Sequence, residues 1–176
     1  MNQAVTACVI VIGNEILSGR TQDTNLNHIA TTLGGWGIQV HHARVIPDDE
    51  DIIVNTINEV RTTYDYIFTT GGIGPTHDDI TAVCIAKAFA VPVIQHPEIA
   101  ERIRQRPAPD DIMASRLLMA RVPEGASLID NPSGGPQGFA MDNVYVMAGI
   151  PRVMQAMLST LEGKLQSGFV VRSHTR

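Results

Sequence analysis

Cysteine is scarce in this chain: two residues in 176, Cys8 and Cys84, with no CxxC pair and no Cys/His spacing suited to zinc. A thiolate zinc site is thereby excluded, and both thiols read as reduced core residues, because free cysteine is usually buried. Runs of Lys or Arg are also missing, and the formal net charge is −5. Proteins that track nucleic acid carry a clustered basic face, so a nucleic-acid partner is not expected. Long hydrophobic runs are absent as well. The apolar stretch Ala7 to Ile12 is too short for a membrane span or a signal core, and Met1 to Thr6 lacks the basic residues of a secretory signal. No membrane association is expected, and the cytoplasm is the expected location. No internal repeat or low-complexity segment is visible. What the chain does have is 44% hydrophobic residues, enough for one substantial core and too short a length for two ordinary ones. A single domain over residues 1–176 is expected.

Strand and helix signals alternate. Val5 to Ile12 is a nearly unbroken β-branched run, as in a strand covered on both faces by helices. A polar loop follows. From about Asp23, Leu26, Ile29, Ala30 and Leu33 fall on one helical face, and Gly34, Gly35 and Gly37 end that helix. Ile38, Val40 and Arg44 to Ile46 suggest a second strand. After Pro47-Asp48-Asp49 comes a second helix marked by Ile53, Ile57 and Val60, with an acid-rich first turn that suits the helix dipole. Tyr66 to Thr70 reads as the third strand, and a third helix is predicted from Asp79 with Val83, Cys84 and Ala88 inward. This alternation implies right-handed crossovers and an α/β fold on a mostly parallel sheet. In the second half, Pro97 opens a short helix with Ile99 and Ile103, and Arg106-Pro107-Ala108-Pro109 is a stiff connector. Asp110 is predicted to cap a further helix through Ile112, Met113 and Leu117. Ser127 to Asp130, Phe139 to Met141 and Val144 to Met147 are strand candidates, the last two joined by an Asp142-Asn143 hairpin turn. Gly149-Ile150-Pro151 opens a final helix with Met154, Met157, Leu158, Leu161 and Leu165 inward, and the tail after Ser167 is expected to fray. The seven methionines fit core packing.

The densest chemistry lies in Thr69-Thr70-Gly71-Gly72-Ile73-Gly74-Pro75-Thr76-His77-Asp78-Asp79, a glycine-rich turn between strand and helix. Glycines permit positive φ and close ligand approach, and a helix start offers free N–H groups to an anion. Gly71, Gly72, Gly74 and Thr76 are therefore candidate phosphate contacts, with His77 a candidate donor. Asp78 and Asp79 would repel a phosphate beside them, so either they cap the helix or a divalent cation such as magnesium separates them from the anion. Asp48, after Pro47, has the same two readings. Asn14 and Glu15, just after the first strand, can accept or donate to the organic part of a ligand. The Asn131-Pro132-Ser133-Gly134-Gly135 loop adds Ser133 and Gly134. In an open parallel sheet, loops after strands gather at the carboxyl edge, where ligands bind. The other histidines, His28, His41, His42, His96 and His174, show no metal-ligand spacing.

Four ordered segments resemble a known family. Gly13-Asn14-Glu15-Ile16-Leu17-Ser18-Gly19-Arg20-Thr21-Gln22-Asp23-Thr24-Asn25, the TTGGIGPTHDD segment, the Asn131 to Phe139 loop and Gly149-Ile150-Pro151 resemble, in order, the molybdopterin-binding domain of molybdenum-cofactor biosynthesis proteins. The variant they resemble most is the N-terminal domain of the competence/damage-inducible protein A (CinA) family, which has a relative in eukaryotic FAD synthases. The resemblance spans residues 5 to 165. It implies a three-layer α/β/α sandwich, assembly as homo-oligomeric dimers or trimers, and a pocket for a pterin or nucleotide phosphate, with molybdopterin as one ligand. It assigns magnesium or a similar cation to Asp48, Asp78 and Asp79, with Asp48 and Asp79 catalytic. In one branch the chemistry is adenylyl transfer to molybdopterin. In the CinA-like branch it is metal-dependent hydrolysis of ADP-ribose-type pyrophosphates, and a non-catalytic binding or regulatory module is a third possibility. Ile73, where the biosynthesis branch usually has Thr, and the His77-Asp78 pair favour the CinA-like branch. The family's Gly-Thr-Ala-Pro-Gly-Phe loop is Gly134-Gly135-Pro136-Gln137-Gly138-Phe139 here. The amidohydrolase part of full-length CinA proteins is not expected within this length.

Overall fold

The computed structural model describes residues 4–168. Strand β1 (Val5–Ile12) is followed by a one-turn helix α1 (Asn14–Leu17), helix α2 (Asn25–Gly35), strand β2 (Ile38–Ile46), helix α3 (Glu50–Val60), strand β3 (Tyr66–Thr70) and helix α4 (Thr81–Ala88). Strand β4 (Val93–Gln95), helices α5 (Pro97–Arg104) and α6 (Asp110–Leu117), a 3₁₀ turn (Leu118–Ala120) and strand β5 (Arg121–Pro123) form a lateral unit. Strands β6 (Ser127–Ile129), β7 (Gly138–Met141) and β8 (Val144–Met147), then helix α7 (Pro151–Ser159), complete the order.

The main sheet runs β2-β1-β3-β8-β7-β6. Its first four strands are parallel, and β7 and β6 add antiparallel pairs at one side. β1 lies between β2 and β3, and Ala7 to Ile12 are all buried, as an unbroken β-branched run requires. The connection from β1 to β2 and that from β2 to β3 leave in opposite directions across the sheet, so right-handed crossovers put α2 and α3 on opposite faces. α2 packs with α7, and α3 with α4. The core between these layers centres on Ile10, Ile29, Leu33, Ile53, Ile57, Phe68, Phe139, Met147 and Met154, all essentially solvent-free. Each such side chain contributes about 1.5–3 kcal/mol by leaving water. The sandwich is the α/β/α fold implied by the resemblance. The lateral β4–β5 ribbon is a separate two-stranded antiparallel sheet.

Several predicted boundaries shift, each for a local reason. α4 begins at Thr81 rather than Asp79, because the Asp79 carboxylate turns back to Thr76 instead of capping the helix. Asp110 lies inside α6, whose N-cap is Pro109, so it caps nothing. The last helix stops at Ser159; turns carry the chain on, with Leu161 still buried and Gly163 at φ +73°. Val83 is half-buried rather than inward like Cys84 and Ala88. The segment after Gly13, predicted as loop, contains α1. β4 and β5 were not expected, since three-residue strands beside Pro92 and Pro123 leave too few alternating positions to register. The Asp142-Asn143 hairpin is present, with Asp142 at φ +52°. Residues 169–176, the bulk of the tail expected to fray, and His174 lie outside the described residues.

Both thiols are buried, and burial lifts Cys8 to about 11 and Cys84 to about 12. They stay protonated and inert at neutral pH.

Candidate functional site

The carboxyl ends of β2, β1 and β3 lie side by side, and the flanking crossovers diverge there. That point is the switch in strand order at which open α/β sheets bind ligands. Three loops emerge from it. Gly13 continues β1 and donates its N–H to Ile46 O at 3.0 Å, holding the first loop against the second. Asn14 N then donates to Asp48 Oδ2 at 3.0 Å, and Asp48 N donates to Asn14 Oδ1 at 3.2 Å. This reciprocal pair fixes Asp48 over the β1 loop. Its neighbour does the capping: Asp49 Oδ1 accepts from Ile52 N at 3.0 Å, which leaves the Asp48 side chain free of α3.

The third loop is the glycine turn. Gly71 is at φ +99°, and a Cβ there would lie 2.1 Å from Ile12 O; Gly72 is at φ +72°, and a Cβ there would lie 2.1 Å from Thr81 Oγ1. Thr81 Oγ1 donates to Gly71 O, and Thr81 N to Gly72 O, both at 3.0 Å. These two glycines thus let the end of β3 pass against β1 and dock on the first turn of α4. Asp79 Oδ2 accepts from Thr76 N at 2.8 Å and Thr76 Oγ1 at 2.7 Å, so the acid braces the loop from inside.

Together these loops enclose a polar cleft of about 240 Å³ lined by Ile12, Asn14, Glu15, Arg20, Asp48, Gly72, Thr76, Asp78 and Asp79. The predicted residues Asn14, Glu15, Asp48, Gly72, Thr76, Asp78 and Asp79 are brought together in it. Gly71 is buried beneath, and Gly74 backs the Asp79 carboxylate, where a Cβ would meet Oδ2 at 2.9 Å. His77 points into solvent, with Nε2 3.2 Å from Asp78 Oδ1. Ser133 and Gly134 are elsewhere. Their loop leaves the same sheet edge, but from β6, four strands from β1; at about 4.8 Å per strand that is about 19 Å away.

Arg20 is the residue that sequence reasoning passed over. The turn after α1 folds back, with Thr21 N donating to Glu15 O at 3.0 Å and Gly19 at φ +75°, and this brings one cation in among four acids. Its segment, Ser18-Gly19-Arg20, stands out with Gly13-Asn14-Glu15 among the polar loops at strand ends, but one-dimensional spacing gives Arg20 itself no role. Asn25 was also missed as a brace: its Nδ2 donates to Gly149 O at 2.8 Å, tying α2 to the loop after β8.

The Asp48 carboxyl is pushed above its ordinary range, first by burial and then by the negative charges of Glu15, Asp79 and Asp78; the N–H of Asn14 opposes the rise. A cleft in which three neighbouring carboxylates raise the pKa of a fourth, Asp48, is one a cation could occupy. Among the described residues no three His, Cys, Asp or Glu side chains group closely enough to hold a metal by themselves. Two carboxylates with ligand oxygens and water are the usual donor set for magnesium, so the fit is to a cation held jointly with a phosphate.

A family model described as a probable molybdopterin binding domain matches residues 8–166. The chain belongs to this family. The molybdopterin-binding domain here is of the CinA type, similar to MoaB and MogA in fold. A protein from Archaeoglobus fulgidus is 32% identical over 91% of this chain and 69% of its own length. A CinA-like protein from Desulfosudis oleivorans is 35% identical over 86% of this chain, which spans only 38% of that relative. The crystal structure of CinA from Thermoplasma acidophilum, a protein of unknown function, superposes with a TM-score of 0.84 at 33% identity, covering 92% of this chain and 98% of its own. The molybdopterin biosynthesis enzyme MoaB from Thermus thermophilus shares the fold, with a TM-score of 0.58 at 18% identity over 92% of this chain and 91% of its own. Among the described residues no helix is long and apolar enough to cross a membrane.

Proposed function

We propose that this CinA-type molybdopterin-binding domain binds the phosphates of a pterin or nucleotide in the cleft at the carboxyl end of β1. With a divalent cation there, it hydrolyses ADP-ribose-type pyrophosphates. The observation that carries the reading is the meeting of Asp48 and Asp79, from loops after different strands, with Gly72, Thr76, Glu15 and Arg20 in one polar cleft. A volume of about 240 Å³ is smaller than ordinary pockets for whole organic ligands and suits a diphosphate with an ion, the organic groups projecting outward.

Asp48 and Asp79 would hold the cation, with Asp78 beside them. Such an ion neutralises phosphate oxygens and lowers the pKa of a bound water. The remaining work falls to the chain. Arg20 faces the anion as a fixed positive charge that stabilises the leaving phosphate, and its planar fork suits paired phosphate oxygens. Asn14, locked to Asp48 through both its amide N–H and its side chain, sets the angle of that carboxylate. Glu15, which lines the cleft, would accept from hydroxyls of the organic group. The Thr76 amide and hydroxyl are engaged by Asp79, so they hold the loop rather than the phosphate until a ligand displaces that carboxylate.

The same reading includes a small homo-oligomer, supported by large apolar side chains exposed near this edge, Leu17 and Ile150. Light scattering on the purified chain tests it: a single monomer peak refutes it. The chemistry is tested by incubating the protein with ADP-ribose and magnesium or cobalt. AMP and ribose phosphate should form, and Asp79→Ala and Asp48→Asn should lower the rate at least 100-fold. ATP-dependent adenylation of molybdopterin instead would assign the transferase chemistry associated with the family. Saturable binding without turnover of either substrate would leave a binding module.

A further inference from the structure

A second cavity is larger than the acidic cleft. About 600 Å³ opens between α5, α6 and the Asn131–Gly135 loop, lined by the apolar side chains of Ile99, Ile103 and Met119 and by Arg102, Arg106 and Arg116. In a chain of net charge −5, three arginines line this one cavity. None has a carboxylate partner among the described residues. The nearby acids Glu98, Glu101 and Asp130 line an adjoining depression that shares Arg102 and Gln137 with this cavity, and none of them lines this one.

Two of the three arginines, Arg102 and Arg116, are held without being neutralised. Arg102 Nη2 donates to Gln137 Oε1 at 2.9 Å, and Gln137 is itself buried, its Nε2 donating to Ile129 O at 2.6 Å and Gly138 O at 2.9 Å. Arg116 Nη1 donates to Arg106 O at 3.2 Å. Each guanidinium has five N–H donors, so most of this donor set remains available. The facing loop is braced by Asn131, whose Nδ2 donates to Gly134 O at 2.7 Å and Pro136 O at 2.8 Å. A Cβ at Gly134 or Gly135 would meet nothing within 4 Å, so the space before the loop is open. Guanidinium groups without carboxylate partners beside apolar side chains match a planar ring carrying a phosphate.

We propose that this cavity is a second ligand site, taking a phosphomonoester attached to a planar heterocycle through the guanidinium groups of Arg102, Arg106 and Arg116. The site works without a metal, in contrast to the acidic cleft, with which it shares no lining residue. The ring lies on Ile99, Ile103 and Met119 while the phosphate takes the arginines. It does not rest on pyrophosphate hydrolysis at the other site.

The test is calorimetric titration of the full chain with AMP in EDTA, with adenosine and inorganic phosphate as separate probes. Saturable binding of AMP is expected, with adenosine at least tenfold weaker. Inorganic phosphate should compete with AMP more weakly than AMP itself binds. Arg102→Gln with Arg116→Gln should weaken AMP at least tenfold, and Asp48→Asn should leave it unchanged. Arg106→Gln, whose guanidinium makes no internal bond among the described residues, should weaken it several-fold with the melting temperature intact; this keeps the test open if the double variant misfolds. No saturable binding of AMP, equal binding of adenosine, wild-type affinity in the arginine variants, or loss of binding in Asp48→Asn would each overturn the proposal.

Discussion

Replacing Asp48 by Asn is expected to raise stability while removing function. The Asp48 carboxyl sits above its ordinary range because it is partly buried and because Glu15, Asp79 and Asp78 crowd it with negative charge. Between the unfolded value of about 3.9 and the raised folded value, the native state binds more protons than the unfolded chain. Stability therefore falls as pH rises through that window, and the deficit persists at pH 7. The amide of the Asp48→Asn variant carries no charge, and its oxygen can still accept the Asn14 N–H. The group is only partly buried, so screening limits the gain to about 1 kcal/mol or less, a rise of at most about 2–4 °C in melting temperature for a chain of this size. The assay is thermal unfolding of both proteins from pH 3 to 8. The variant should melt higher at pH 7, and the gap should close as the pH falls below about 4. A cation bound as proposed would reverse the order: at a hundred times its dissociation constant it would stabilise by about 2.7 kcal/mol, and only the wild type should respond fully. If the variant melts at or below the wild type at pH 7, or if the difference does not change with pH, the carboxylate is not under repulsion and the reasoning fails.

Other outcomes follow from the same geometry. Asp79→Ala removes both bonds to Thr76 and should cost about 1–2 kcal/mol in chemical denaturation, whereas Asp79→Asn should recover part of that; equal stability for Ala and wild type would deny the brace. Gly72→Ala adds a Cβ 2.1 Å from Thr81 Oγ1 at φ +72° and should cost about 1–3 kcal/mol, read as a lowered denaturation midpoint at unchanged slope. With thiols lifted to about 11 and 12, native protein at pH 8 should resist iodoacetamide for hours and react at both positions only after unfolding, as read by intact mass. Arg20→Gln should leave melting unchanged and lower the rate of any pyrophosphate cleavage at least tenfold.

The sequence shows β1 and β3 because buried parallel strands are runs of β-branched and apolar residues, and α2 and α3 because Ile29 with Leu33, and Ile53 with Ile57, keep helical spacing. The loops of the candidate site were legible as glycine and acid clusters at strand ends. Their mutual positions were not, because one-dimensional spacing does not give sheet order. The order β2-β1-β3-β8-β7-β6 unites the loops after β1, β2 and β3 and carries the Asn131 loop to the far side of β8. Asp48 and Asp49 read alike in sequence; only the fold shows that Asp49 caps α3 while Asp48 turns to Asn14. The role of Asp79 as a loop brace was hidden for a similar reason, since a carboxylate before a helix ordinarily serves as its cap.

The decisive experiment is crystallographic: anomalous scattering from a crystal soaked with manganese and ADP-ribose. A manganese peak is expected between the Asp48 and Asp79 carboxylates, sharing oxygens with the diphosphate beside Gly72. Manganese bound away from both aspartates, or the diphosphate seated outside that cleft, would contradict the assignment of these loops to phosphate and cation.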